Sequence, residues 1–200
     1  IIYLFLGSFM LALAVQHWNL HKRIALTILS HIGTDGKRLV AGFMVTAALL
    51  SAFMTNTTTT MMLLPIALSV IAVVAENIPE MDEKTRTNFQ ISLLLGLAYS
   101  ASIGGLATVV GTPPNGILIG FLQDNYNYEI SFANWMMIGV PVTVIMLPLT
   151  WVALTKWVYP VNIAASPEVH DHLEKLRANL GPMTIPERRV GMLFLAVIIL

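Results

Sequence analysis

Long apolar runs parted by short polar stretches set the pattern of this chain. Residues 1–16 are apolar almost throughout and predict a helix that ends a membrane span. In residues 17–38, His17, His21, Lys22, Arg23, His31, Asp35, Lys37 and Arg38 interleave with Ile24, Leu26, Ile28 and Leu29. The apolar positions 24, 28 and 32 recur at helical spacing, which predicts a helix lying on the membrane surface, ended by Gly33-Thr34-Asp35-Gly36. Two apolar arms, 39–54 and 61–75, then flank the polar stretch Thr55-Asn56-Thr57-Thr58-Thr59-Thr60. Each arm rises only about 24 Å as a helix, short of a hydrocarbon core about 30 Å thick, and one helix through both would overshoot it. The pattern therefore predicts a re-entrant hairpin whose polar tip is buried in protein.

A charged loop over 76–88 leads into a long apolar segment, 89–122. Glycines and the pair Pro113-Pro114 in its middle predict a broken helix. Residues 123–134 read as a polar loop, 135–158 as a span kinked at Pro141 and Pro148, and 159–187 as a connector, helical around Glu168–Asn179; a further span starts near Arg189. The units are thus 1–38, 39–76, 77–122, 123–158 and 159–200. The fold class expected is an all-α polytopic membrane protein with a re-entrant hairpin and a broken transmembrane helix.

Composition agrees. Hydrophobic residues make up 56% of the chain and charged ones 11%, against about 25% charged in soluble domains. The formal net charge is zero, so nothing here suggests nucleic-acid binding. The absence of cysteine excludes disulfides, thiolate metal sites and cysteine nucleophiles. All eleven Lys and Arg lie in or beside 17–38, 76–88 and 159–189, and none lies in 123–134. The positive-inside rule then puts the hairpin mouth in the cytoplasm. The first run has neither the basic start nor the cleavage site of a signal peptide. The sequence opens at Ile1 and closes at Leu200 inside apolar runs, which leads us to expect a fragment of a longer chain.

Two constellations offer chemistry. At the hairpin tip, Ser51, Thr55, Asn56 and Thr57 carry hydroxyl and amide oxygens for a hard cation. The same groups, with the free N–H groups that start the second arm, can donate to an anion. Neutral oxygens suit a monovalent cation, since a divalent one wants carboxylates. A tip that merely caps two helices would use the same residues. In the broken helix, small residues from Ala98 to Gly105 allow close backbone approach. Gly104 and Gly105 could unwind the helix to free carbonyls, and Pro113 and Pro114 leave further carbonyls unpaired. A tightly packed kink without a ligand is the plainer alternative.

The stretch Ser51-Ala52-Phe53-Met54-Thr55-Asn56-Thr57, continuing to Pro65-Ile66-Ala67, resembles the first hairpin of the divalent anion/sodium symporter family, which includes sodium-coupled dicarboxylate and citrate carriers. Ser102-Ile103-Gly104-Gly105-Leu106-Ala107-Thr108-Val109-Val110-Gly111-Thr112-Pro113-Pro114-Asn115 is similar to its broken-helix motif, in the same order and spacing. The resemblance covers essentially the whole chain. Where the family has Ser-Asn-Thr this chain has Thr55-Asn56-Thr57, which keeps the hydroxyl and adds a methyl, and Leu106 replaces the usual Thr after Gly-Gly. The resemblance implies a sodium site from Ser51, Thr55, Asn56 and the Gly104 carbonyl, and substrate contacts from Thr55, Asn56 and Thr57. It also implies symport of C4-dicarboxylates or related anions with sodium as the coupling ion and no other cofactor, one half of an inverted repeat, an elevator-like movement and a homodimer. The expected location is a bacterial inner membrane.

Other residues carry less. His17 and His21 could share a helix face as metal ligands, but with Trp18 between them they read as an interfacial belt. His170-Asp171-His172 reads as a solvated loop; Glu76, Glu80, Asp82 and Glu83 read as a wet loop; Trp135, Trp151, Trp157 and Tyr159 read as anchors or packing. A proton-coupled antiporter would need a buried ionisable group, and 39–75 and 89–122 contain no Asp, Glu, Lys, Arg or His, which argues against a proton relay in this half. No His-Glu-x-x-His or Gly-x-Ser-x-Gly supports an intramembrane enzyme.

Overall fold

The computed structural model describes residues 2–77 and 82–199; Glu80, Ile1 and Leu200 lie outside the described residues. The described residues form helices α1 (Ile2–His17), α2 (Leu20–Ile32), α3 (Gly36–Ser51), α4 (Asn56–Asn77), α5 (Glu83–Gly105), α6 (Pro113–Tyr126), α7 (Phe132–Val152, continued by a π-helical turn Ala153–Val158), α8 (Pro167–Ala178) and α9 (Ile185–Ile199), with no strand among them. Several helix starts carry their own acceptors. Asp35 accepts from Arg38 N at 3.0 Å, Asp82 from Thr85 N at 3.1 Å, and Ser131 from Asn134 N at 3.2 Å. At α9, Thr184 N donates to Glu187 Oε2 at 2.7 Å and Glu187 N returns a bond to Thr184 Oγ1 at 3.4 Å, a reciprocal capping box.

Helix α3 is the centre. It packs most extensively on α5 and also touches α2, α4 and α7. Its Leu39, Val40, Phe43, Met44, Ala47 and Leu50 share one core with Leu93, Leu97 and Ala101 of α5 and Leu63, Ala67 and Val70 of α4. Gly96, Ser100 and Gly104 are buried on α5 at successive spacings of four. A Cβ at Gly96 would stand 3.2 Å from Met44 Cγ, and one at Gly104 would overlap the backbone of Ala48. In a bilayer, where lipid tails are as apolar as leucine, such small-residue fits hold helices together.

Several boundaries differ from expectation. The hairpin turns at 52–55, and Asn56 to Thr60 open α4. Thr58 N finds Thr55 Oγ1 at 3.3 Å and Thr60 Oγ1 finds Asn56 O at 2.9 Å, so this threonine run satisfies a first turn. Helix α4 therefore has 22 residues, about 33 Å. It and the stretch Phe132–Val158 are long and apolar enough to cross a membrane. Helix α6 runs on to Tyr126, where left-handed Asn127 (φ 54°) ends it, and α7 passes uninterrupted through Pro141 and Pro148. The buried face of α2 is Leu20, His21, Ala25, Leu26 and Leu29, beside the expected 24/28/32 stripe, because α2 packs on α3 and α8. His172 lies on α8 within 2.7 Å of Ser69 Oγ on α4, while His170 and Asp171 are exposed. Trp151 Nε1 donates to Lys37 O at 2.9 Å, tying α7 to the start of α3.

The α3–α5 contact makes a paired test. Gly104→Ala should destabilise the full-length protein by about 1–3 kcal/mol through overpacking against Ala48. Gly120→Ala, whose Cβ would meet nothing within 4 Å, should be neutral or slightly stabilising. Thermal unfolding in detergent measures both; equal midpoints would refute the close contact.

Candidate functional site

Four helix ends meet at one place. The C-termini of α3 and α5 stop at Ser51 and Gly105, and the N-termini of α4 and α6 start at Asn56 and Pro113. Ser51, fully buried, donates Oγ–H to Asn56 Oδ1 at 2.7 Å. Asn56 in turn lies against α5, where a Cβ at Gly105 would stand 2.5 Å from Asn56 Oδ1. Gly111, in the α5–α6 break, lies so close that its Cβ would be 2.9 Å from Ser51 O. Ser51, Asn56, Gly104, Gly105 and Gly111 thus form one cluster.

Gly104 and Gly105 do not unwind α5. They are its last two residues, and the break is 106–112. Their missing side chains instead admit Ala48 and Asn56. Nor do the prolines leave a gap: Pro113 and Pro114 occupy the first positions of α6, where an N–H would have no intrahelical acceptor. The break itself is closely braced. Buried Asn115 donates Nδ2–H to Gly105 O at 2.9 Å and to Thr108 O at 2.8 Å. Thr108 donates its hydroxyl to Ala52 O in the hairpin turn and accepts from Gly111 N at 3.1 Å. Beyond α3, Phe53 N and Met54 N both turn to Leu50 O, passing over Ser51 O.

The threonines divide. Thr55 and Asn56 are half-buried and Thr57 is exposed. Thr55 Oγ1 donates to Thr58 Oγ1 at 2.7 Å. The first intrahelical bond of α4 is Thr59 N to Thr55 O at 3.0 Å, so the N–H groups of Asn56 and Thr57 precede the helix ladder. The site thus pairs neutral oxygens with one helix N-terminus that has N–H groups to give. The start of α6 has prolines in the equivalent places.

One support is invisible as a motif. Trp135 Nε1 donates to Leu106 O at 3.0 Å and Thr143 Oγ1 to Ile103 O at 3.1 Å. Between them, Gly139 is the buried residue of α7, and a Cβ there would meet Leu106 O at 2.5 Å. Spacing of four puts all three on one face, with Leu147 and Trp151 continuing it. Small and polar residues at that period on an otherwise apolar helix are the signal that finds them.

Among the described residues no group of three or more His, Asp or Glu could hold a metal. His17 stacks edge-on with Trp18 at 5.1 Å, whereas His21 is buried with Nδ1 3.3 Å from Val15 O. Burial pushes the His21 imidazole below its ordinary pKa.

A family model described as citrate transporter, CitMHS, matches residues 1–200. The sodium-dependent dicarboxylate transporter SdcS of Staphylococcus saprophyticus is 40% identical over 197 residues, 98% of this chain and 38% of that protein. The protein of the same name from Staphylococcus aureus (strain USA300) is 38% identical over 196 residues, 97% of this chain and 38% of its own length. The chain therefore spans 38% of the length of these relatives.

Asn115→Ala should strip two buried carbonyls of their donor and lower stability by about 2–3 kcal/mol. Asn125→Ala, which removes an exposed bond to Phe121 O, should change it little. Unfolding curves of the full-length variants compare them, and matching losses would show that the brace does not matter.

Proposed function

Because the chain belongs to the citrate transporter family, CitMHS, we propose that it supplies one half of a carrier that moves small carboxylates, C4-dicarboxylates first among them, together with sodium. The observation that carries this reading is the meeting of Ser51, Asn56 and the end of α5 at one place without any Asp, Glu, Lys, Arg or His in 39–75 or 89–122. Neutral oxygens there suit sodium, and these two stretches offer a proton relay no acidic, basic or imidazole group. The relatives' name, sodium-dependent dicarboxylate transporter, supports both coupling ion and cargo.

In this reading Ser51 Oγ, Thr55, Asn56 Oδ1 and the Gly104 carbonyl hold one sodium ion. Ser51 would turn its hydroxyl proton away from Asn56 Oδ1, so that both oxygens, now 2.7 Å apart, face the ion. The ion's charge and the leading N–H groups of α4 would then receive a carboxylate, with Thr55, Asn56 and Thr57 around it. An unpaired dianion is costly to bury, which makes substrate affinity depend on bound sodium. The matching half-site, an elevator-type movement and a homodimer complete the proposal. So do re-entry of α3 and α4 with their mouth towards the cytoplasm, α2 at the interface, and residence in a bacterial plasma membrane. Citrate is the second reading for the cargo, favoured by the description of the matching family.

The test is uptake of labelled succinate by the full-length protein in proteoliposomes, with an inward sodium gradient or potassium alone. Uptake should need sodium, and Asn56→Ala should weaken sodium dependence and substrate affinity together. Loss of one with the other intact would contradict a shared site. Citrate uptake in place of succinate would select the second cargo.

A further inference from the structure

We propose that Thr108 is a positioning residue that fixes the geometry of the sodium site by joining the two chain breaks. Its hydroxyl spans 56 residues of sequence, donating to Ala52 O in the α3–α4 turn. The same oxygen accepts Gly111 N at 3.1 Å, which leaves its hydrogen committed to the opposite turn. The carbonyl of Thr108 is itself held by Asn115 Nδ2 at 2.8 Å, and the residue is 1% exposed. Thr108 therefore has side chain and main chain engaged in three directions inside a buried setting, where each bond is expensive to lose.

The consequence lies in what those bonds leave over. Thr108 occupies the Ala52 carbonyl, and Asn115 occupies the carbonyls of Gly105 and Thr108. Ser51 O is bypassed by the turn N–H groups, whereas Gly104 O already accepts Ala107 N at 3.0 Å. The hydroxyl of Thr108 thus keeps the Ala52 carbonyl turned away from an ion and holds the two turns at a fixed separation. Valine at this position would keep the shape and remove both hydroxyl bonds. Serine would keep the bonds and remove a methyl.

This inference rests on the sodium-coupled reading, and its test separates the two. Sodium-dependent succinate uptake and sodium-induced thermal stabilisation are measured on the full-length wild type, Thr108→Val and Thr108→Ser. Loss of the two hydroxyl bonds, felt partly in the bound geometry, predicts a sodium half-saturation raised about tenfold in Thr108→Val. The maximal rate at saturating sodium should be largely retained, and Thr108→Ser should stay close to wild type. Unchanged sodium half-saturation in Thr108→Val, or equal impairment in Thr108→Ser, would overturn the positioning role while leaving sodium coupling intact. Should Thr108→Val fail to fold, Gly111→Ala, which crowds the same turn against Gly105 O and Ser51 O, supplies the comparison: a normal sodium response there overturns the role. A wild type that responds to neither sodium assay would remove the coupled reading, and the role of Thr108 with it.

Discussion

A helix that ends among buried apolar side chains strands backbone N–H and C=O groups where water cannot reach them, and this constraint governs the structure. Two such stops lie near one another here, after Ser51 and after Gly105. Each is repaired largely by the other or by its flanks. Thr108 serves Ala52 O, Asn115 serves Gly105 O and Thr108 O, and Trp135 and Thr143 of α7 serve Leu106 O and Ile103 O. The breaks are tolerable because they are paired.

That repair requires close approach, which explains the glycines. Gly104 admits the Ala48 backbone, Gly105 admits the Asn56 amide, Gly111 admits Ser51 O, and Gly139 admits the carbonyls of the break. A methyl at any of them would push apart the chain ends whose polar groups must meet. The same closeness concentrates neutral oxygens and leading N–H groups in one small volume, so the structural solution also offers a place for a cation and an anion side by side.

Much of this was readable before any coordinates. Six polar residues between apolar arms marked the first break, and Gly-Gly with Pro-Pro marked the second, because nothing else interrupts such apolar sequence. The details depended on tertiary contacts. Thr57 to Thr60 resemble a loop by propensity, yet Thr55 caps them into α4. Gly104 and Gly105 look like unwinding points, yet α5 keeps them helical because Ala48 and Asn56 need their space. The roles of Trp135 and Thr143 were hidden because an isolated Trp or Thr on an apolar helix does not reveal which carbonyl it faces. His172 looks solvated in sequence because its partner, Ser69, is 103 residues away.

The central claim is that the two breaks form a single sodium-binding unit. Its most direct test is a pair of high-resolution cryo-electron microscopy maps of the full-length protein, one in sodium and one in potassium. The account predicts a density peak in sodium, absent in potassium, at coordination distance from Ser51 Oγ, Asn56 Oδ1 and the Gly104 carbonyl, with Thr108 still bonded across to Ala52. A sodium-specific peak remote from both breaks, or a map in which Asn56 and Gly105 stand apart when sodium is bound, would contradict it.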